Sequence, residues 1–170
     1  MSRENECGAT YMHELKLFTD GSVNPQLKVG YGAYLAVAEG NISPELLPSH
    51  VKTMRFEQTS STRLELQTLL WALSDLALSG FRVTVYTDSQ NIIGLHARRE
   101  RFEKNNYMTK KNRPIANHEL YREFYSITDR LTCEFVKVKG HKLSHQKDPI
   151  DDLFTLVDRA SRDALREGLF

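Results

Sequence analysis

Asp20, Glu65 and Asp88 are the residues of this chain best placed to do chemistry. Asp20 lies in Leu17-Phe18-Thr19-Asp20-Gly21-Ser22, Glu65 in Thr62-Arg63-Leu64-Glu65-Leu66 and Asp88 in Val85-Tyr86-Thr87-Asp88-Ser89-Gln90. A fourth acid is expected near the C-terminus, where Asp158 heads Asp158-Arg159-Ala160-Ser161-Arg162. Carboxylates among apolar neighbours are costly unless they converge on positive charge. A pair of hard divalent cations is the natural partner for such a set. Two cations roughly 3.5–4 Å apart can clamp the attacking and leaving oxygens of a phosphodiester. Without them the carboxylates repel one another and at least one pKa rises. His141, near-neutral by nature, suits proton handling beside such a site.

The elements that must position these residues can be read from pattern. Leu15 to Thr19 reads as a strand, followed by turn chemistry from Asp20 to Pro25. Tyr31 to Ala38 and Val51 to Gln58 read as two further strands in consecutive antiparallel connection. The Ser/Thr cluster Thr59 to Thr62 starts a helix carrying Leu64, Leu66, Leu69, Leu70, Leu73, Leu76 and Ala77, which Gly80 closes. Val83 to Tyr86 is a short buried-type strand, and Asp88-Ser89 opens a second helix through Leu95. His96 to Pro114 is basic and breaks the pattern. A helix over about Asn117 to Arg130, a strand from Cys133 to Val138 and a helix from Leu153 to Leu169 complete the order. Strands joined through helices favour parallel pairing in the second half. The fold class expected is α/β, a five-stranded mixed sheet with three antiparallel then two parallel strands, flanked by helices. Sites in such sheets gather at strand ends, where Asp20 and Asp88 fall.

Composition narrows the class. A chain of 170 residues suits one domain with a proper core. Residues 1–13 read as a short flexible tail and 14–170 as a single domain. The formal net charge is +1, so an argument for nucleic-acid binding must be local. Cys7 and Cys133 are too few for a disulfide framework or a zinc site. No apolar run approaches the roughly 20 residues of a membrane span, and a cytoplasmic monomer is the expectation.

Five strings occur in one order: Thr19-Asp20-Gly21-Ser22, Gly30-Tyr31-Gly32-Ala33, Arg63-Leu64-Glu65-Leu66, Thr87-Asp88-Ser89-Gln90 and Val138-Lys139-Gly140-His141. Each alone is a weak signal; together they resemble the ribonuclease H type 1 family, the bacterial ribonuclease HI group, over nearly the whole chain. The resemblance implies a ribonuclease H-like fold and endonucleolytic cleavage of the RNA strand of RNA–DNA hybrids, leaving 5′-phosphate and 3′-hydroxyl ends. It implies two Mg2+ ions per site, with Mn2+ as substitute. Asp20 would bridge the metals, Glu65 and Asp88 would help hold one, and the C-terminal Asp the other. His141 would assist proton movement or product release. Substrate contacts would come from Gly21, Ser22, Asn24, Ser61, Thr62, Gln90 and Asn117. The basic stretch, with Arg98, Arg99, Lys104, Lys110 and Lys111, would grip the DNA strand, and Phe102 and Tyr107 interleave it.

The chain departs from the family pattern in three places. The family spacing after Gly140-His141 selects Asp151 or Asp152 as the fourth acid, whereas the family's helix signature selects Asp158. Choosing Asp158 means that the loop after His141 is lengthened; Asp151-Asp152 then read as a charged helix N-terminus, where acids complement the macrodipole. Gln26-Leu27-Lys28-Val29 replaces a Gly-rich turn. Ser61-Thr62 replaces paired Asn, leaving fewer hydrogen-bonding options. Recognition of a hybrid works by shape and 2′-hydroxyls, so no sequence reading is expected. Two other readings stay open: a hybrid-binding module without catalysis, and another nuclease of the same fold.

Overall fold

The computed structural model describes residues 12–40, 43–139 and 142–169. Its sheet has five strands, β1 (His13–Asn24), β2 (Val29–Ala38), β3 (Lys52–Glu57), β4 (Phe81–Thr87) and β5 (Thr132–Lys137), in the spatial order β3-β2-β1-β4-β5. β3, β2 and β1 pair antiparallel, and β1, β4 and β5 pair parallel. The helices are α1 (Ser61–Asp75), α2 (Gln90–Ile93), α3 (Leu95–Lys104), α4 (His118–Thr128) and α5 (Pro149–Gly168). The mixed five-stranded sheet read from the pattern is the sheet that forms.

Period-two alternation splits the core into two layers. Leu15, Leu17, Val83 and Val85 point to one face, against Leu66, Leu69, Leu70 and Leu73 of α1 and Leu120 and Phe124 of α4. Phe18, Ala33 and Leu35 point to the other, against Phe154 and Val157 of α5. Trp71 is partly buried, edge-on to Tyr34 and Phe56, and so belongs to the core margin.

The register of β1 places the site. Its parallel ladder with β4 stops at Phe18↔Tyr86, but its antiparallel ladder with β2 runs on to Asn24↔Val29. Asp20 is thus still inside a strand, paired with Ala33, just where β4 has ended and Asp88 begins. The turn expected over Asp20 to Pro25 lies later, at residues 25–28, where Asn24 Oδ1 accepts from the backbone N–H groups of Gln26 and Leu27, both at 3.0 Å. Short-range turn residues misplaced it because the ladder with β2 overrides them.

Two other elements differ from pattern. The basic segment is not irregular: α3 occupies its first half. Its Ala, Arg and Glu are good helix formers, but only Leu95 is fully buried, so no apolar stripe announced the helix. α5 begins at Pro149, not Leu153. Pro sits in its first turn, and Asp148 and Asp151 form a reciprocal capping box, each side chain accepting from the other's backbone N–H.

Candidate active site

Four elements converge on Asp20. The helix α1 approaches β1 and β2 closely because Gly21 and Gly30 carry no side chain there. A Cβ on Gly21 would stand 2.9 Å from Leu64 Cδ2, and one on Gly30 only 2.6 Å from it. Leu64, 1% exposed, fills that gap and fixes the first turn of α1 beside Asp20. Ser60 caps the same turn, its side chain accepting from the Arg63 N–H. Glu65 is therefore delivered to the end of β1 by packing one residue before it.

Glu65 is then oriented by hydroxyls. Ser89 Oγ donates to Glu65 Oε2 in a short bond, and Ser61 Oγ donates to Oε1 at 3.5 Å. Ser89 is 3% exposed and is itself fixed, accepting from the Ile92 N–H as N-cap of α2 while its own N–H donates to Thr87 Oγ1. Burial is the main cause raising the Glu65 pKa; Asp88 adds to the rise, and the Ser89 bond opposes it.

Asp20 feels three influences upward. Burial is the largest, followed by the charge of Asp88, with Asp158 contributing both charge and a hydrogen-bonding contact. The Gly21 backbone N–H pulls the other way, and the carboxyl is pushed up to about 8. Asp158 thus stands beside Asp20. A latch holds it there: Ser161 Oγ lies 3.0 Å from the Asp158 carbonyl and 3.1 Å from Ser22 Oγ, tying α5 to β1 through a fully buried serine. Arg162 pairs with Asp158 at 2.8 Å on the solvent side.

Asp151 is engaged elsewhere. It accepts from the Asp148 N–H at 3.0 Å and pairs with Lys142 at 2.8 Å. The Lys142 ammonium is the first cause holding its carboxyl below the usual carboxylate range. Asp152 is exposed. Both acids lie in the first turn of α5, as the helix-N-terminus reading of the pair expects.

The other sequence-derived residues divide. Asn117, left-handed at φ 61, caps α4 by backbone while Arg63 Nη1 donates to its Oδ1 at 3.0 Å and pairs with Glu119 at 2.6 Å. Gln90 Oε1 accepts from Lys137 Nζ at 2.5 Å. In the basic segment, Arg98 donates to Gly94 O and to Asn91 O and Oδ1, and its guanidinium lies over Phe102 and Tyr121. Arg99 forms a two-pronged pair with Asp129, a further bond to Glu103 and a stack on Tyr125. These two arginines fasten α3 to α2 and α4. Phe102 stacks on Tyr121 at 5.3 Å, and Tyr107 is 6% exposed beneath the Arg122 guanidinium. Both rings form the inside of the protrusion, not a stacking surface. Lys104, Lys110 and Lys111 point to solvent. Gly140 and His141 lie outside the described residues, as does Cys7. Sequence reading missed Ser89 and Ser161. Ser89 followed Asp88 inside a quoted string, but nothing in the sequence says that its hydroxyl reaches Glu65.

Residues 12–157 match the pattern of the RNase H family. The chain belongs to the RNase H family. It is 31% identical over 146 residues to the ribonuclease H of Moorella thermoacetica, covering 84% of this chain and 90% of that protein. It is also 31% identical over 147 residues to the ribonuclease H of Novosphingobium aromaticivorans, covering 84% and 94%. The crystal structure of LC9-RNase H1, a type 1 RNase H with the type 2 active-site motif, superposes with a TM-score of 0.66 at 18% identity, covering 90% of this chain and 72% of that one. As an RNase H the chain is a nuclease. The family match ends one residue before Asp158, so the placing of Asp158 beside Asp20 rests on the packing of α5. No described helix is long and apolar enough to cross a membrane.

The donor set suits a hard divalent cation, being carboxylate oxygen throughout. Among the described residues no group of three or more acids, histidines or cysteines is placed to hold a metal ion. The acids act on one another in pairs: the charge of Asp88 reaches Asp20 and Glu65, and Asp158 reaches Asp20 by charge and a hydrogen bond.

Proposed function

We propose that this RNase H hydrolyses the RNA strand of RNA–DNA hybrids at Asp20, Glu65, Asp88 and Asp158, leaving 5′-phosphate and 3′-hydroxyl ends. The observation that carries this reading is the juxtaposition of Asp20 with Asp88 and Asp158, brought together from β1, the β4–α2 connection and α5. Asp20, reached by both neighbours, is the residue that two Mg2+ or Mn2+ ions would share. Glu65 and Asp88 would hold one ion, and Asp158 the other. The bound cations supply charge neutralisation at the attacking and leaving oxygens.

The chain's own groups do the rest. Ser89 and Ser61 keep the Glu65 carboxylate turned to the cluster. The Ser22–Ser161 latch holds Asp158 against β1. Arg162 balances the charge of Asp158 before substrate arrives. His141 is the proposed proton handler on the strength of its motif. Gly21, Ser22, Ser61 and Thr62 surround the acids where a minor groove showing 2′-hydroxyls would lie. Lys104, Lys110 and Lys111 supply the phosphate contacts of the protrusion. Action as a monomer is part of the proposal.

A labelled RNA–DNA hybrid, an RNA duplex and a DNA duplex, each incubated with and without Mg2+, test the reading. Cleavage confined to the RNA strand of the hybrid with Mg2+ is expected. Equal cleavage of the DNA duplex points to another nuclease of the fold, and binding without cleavage to a hybrid-binding module.

A further inference from the structure

A cavity of about 200 Å3 opens beside the acid cluster, between the exit of β5 and α5. At about 30 Å3 per water it holds a phosphate group with water to spare. Its lining brings Asp88 and Asp158 together with Lys139, Lys142, Lys147 and Arg162. Three of these cations are held in place. Lys142 pairs with Asp151 at 2.8 Å, Lys147 Nζ donates to Thr155 Oγ1 at 2.9 Å, and Arg162 pairs with Asp158 at 2.8 Å. Asp151, the third acid of the lining, is already neutralised by Lys142 and used as a cap.

The two flanks of the acid cluster therefore differ in chemistry. The Glu65 flank offers neutral hydroxyls, from Ser61 and Ser89. The Asp158 flank offers four cations around a cavity. Hydrolysis of a phosphodiester makes two unlike ends, a neutral hydroxyl and a monoester phosphate that carries close to two charges near pH 7. With divalent cations held at Asp88 and Asp158, the four cations would face Asp151 alone and the cavity would be net positive.

We propose that this cavity binds the terminal phosphate monoester of the RNA fragment left with a 5′-phosphate, so that the cut strand runs from the hydroxyl flank to the cationic flank. The inference rests on the function proposed above. The loop that supplies Lys142 and Lys147 would then delay release of that fragment, and the lengthening of this segment gains a role.

The test measures binding to a DNA strand carrying a short RNA whose recessed 5′ end is phosphorylated or not. It uses the unsubstituted acid cluster with Ca2+ in place of Mg2+ to hold off cleavage. The phosphorylated end is expected to bind about tenfold tighter, or about 1.4 kcal/mol. Lys139→Gln with Lys147→Gln should erase that preference and leave the hydroxyl-ended affinity unchanged. Lys139→Gln alone, at an exposed position, should reduce it partway even if the double variant folds poorly. Equal affinity for both ends, or a preference that survives the double variant, overturns the proposal. Heat protection by inorganic phosphate without any end preference also overturns it, since the cavity then takes a free anion only. Cleavage by the wild type is scored separately. An active enzyme without end preference sinks this inference alone, and an inactive one that keeps the preference sinks the functional reading.

Discussion

The acid cluster and the basic protrusion both announced themselves by charge, and the fold treats them in opposite ways. At the cluster, Asp20 is half-buried beside two like charges, and its carboxyl is driven up to about 8. In the protrusion, Arg98 and Arg99 are satisfied by backbone carbonyls, acids and aromatic rings of the chain itself. Like charges drawn together, relieved only in part by the Gly21 N–H and Arg162, are the perturbed carboxylates expected of a functional site. Arg98 and Arg99, partnered in this way, hold the protrusion together, however basic the segment looks.

Substitutions separate the two regions, the largest effect first. Asp20→Asn should reduce Mg2+-dependent cleavage by at least about a hundredfold, the scale of losing one charge-stabilising group, with the circular dichroism spectrum unchanged. Near-wild-type turnover in that variant would remove Asp20 from the site. Asp158→Asn should come next, lowering kcat strongly while melting stays near wild type. Asp151→Asn should behave in reverse, melting earlier because the capping box and the Lys142 pair are lost, with cleavage per folded molecule retained. A reversed ranking would move the fourth acid to Asp151.

Hybrid binding comes third. Replacing Lys104, Lys110 and Lys111 with Gln should flatten the salt dependence by about 0.9 log units per lost phosphate contact, taking B-DNA as guide. Arg99→Gln should leave that slope unchanged and lower the melting temperature, since it unfastens α3 from α4. A slope that drops with Arg99 instead would return it to the substrate surface.

The smallest effect concerns pH. The folded pKa of Asp20 lies above its unfolded value of 3.8, so folding favours the protonated form. Its contribution to stability is full below about pH 4 and is lost as pH rises toward about 8. Without divalent cations, the melting temperature should therefore carry a downward component across that window. Asp20→Asn should flatten it, and Mg2+ should stabilise the wild type most at the alkaline end. A wild-type profile identical to that of Asp20→Asn would show that the carboxyl is not under this pressure.

Much of the sheet was legible because alternation has a strict period. Leu17 and Phe18 point to opposite layers, as their place in a strand requires. The helix α3 was not legible, because its helix-forming residues are nearly all charged and a single buried leucine makes no stripe. The extension of β1 through Asn24 was hidden for a different reason. Gly21, Ser22 and Asn24 are turn formers locally, and the ladder with β2 outweighs that preference.

Sequence alone established the family and the α/β sheet and singled out Asp20, Glu65 and Asp88 as candidates, since each sits in a short string whose neighbours define a strand end or a helix start. It left Asp158 and Asp151 as rivals, because spacing and local signature are both one-dimensional and pointed to different residues. Tertiary structure alone turned Asp158 to Asp20 through the buried Ser161 latch and turned Asp151 back onto its own helix. It also decided which cations are scaffold and which face solvent. Charge is a property of a residue, but whether that charge is free to act depends on partners that only folding brings within reach.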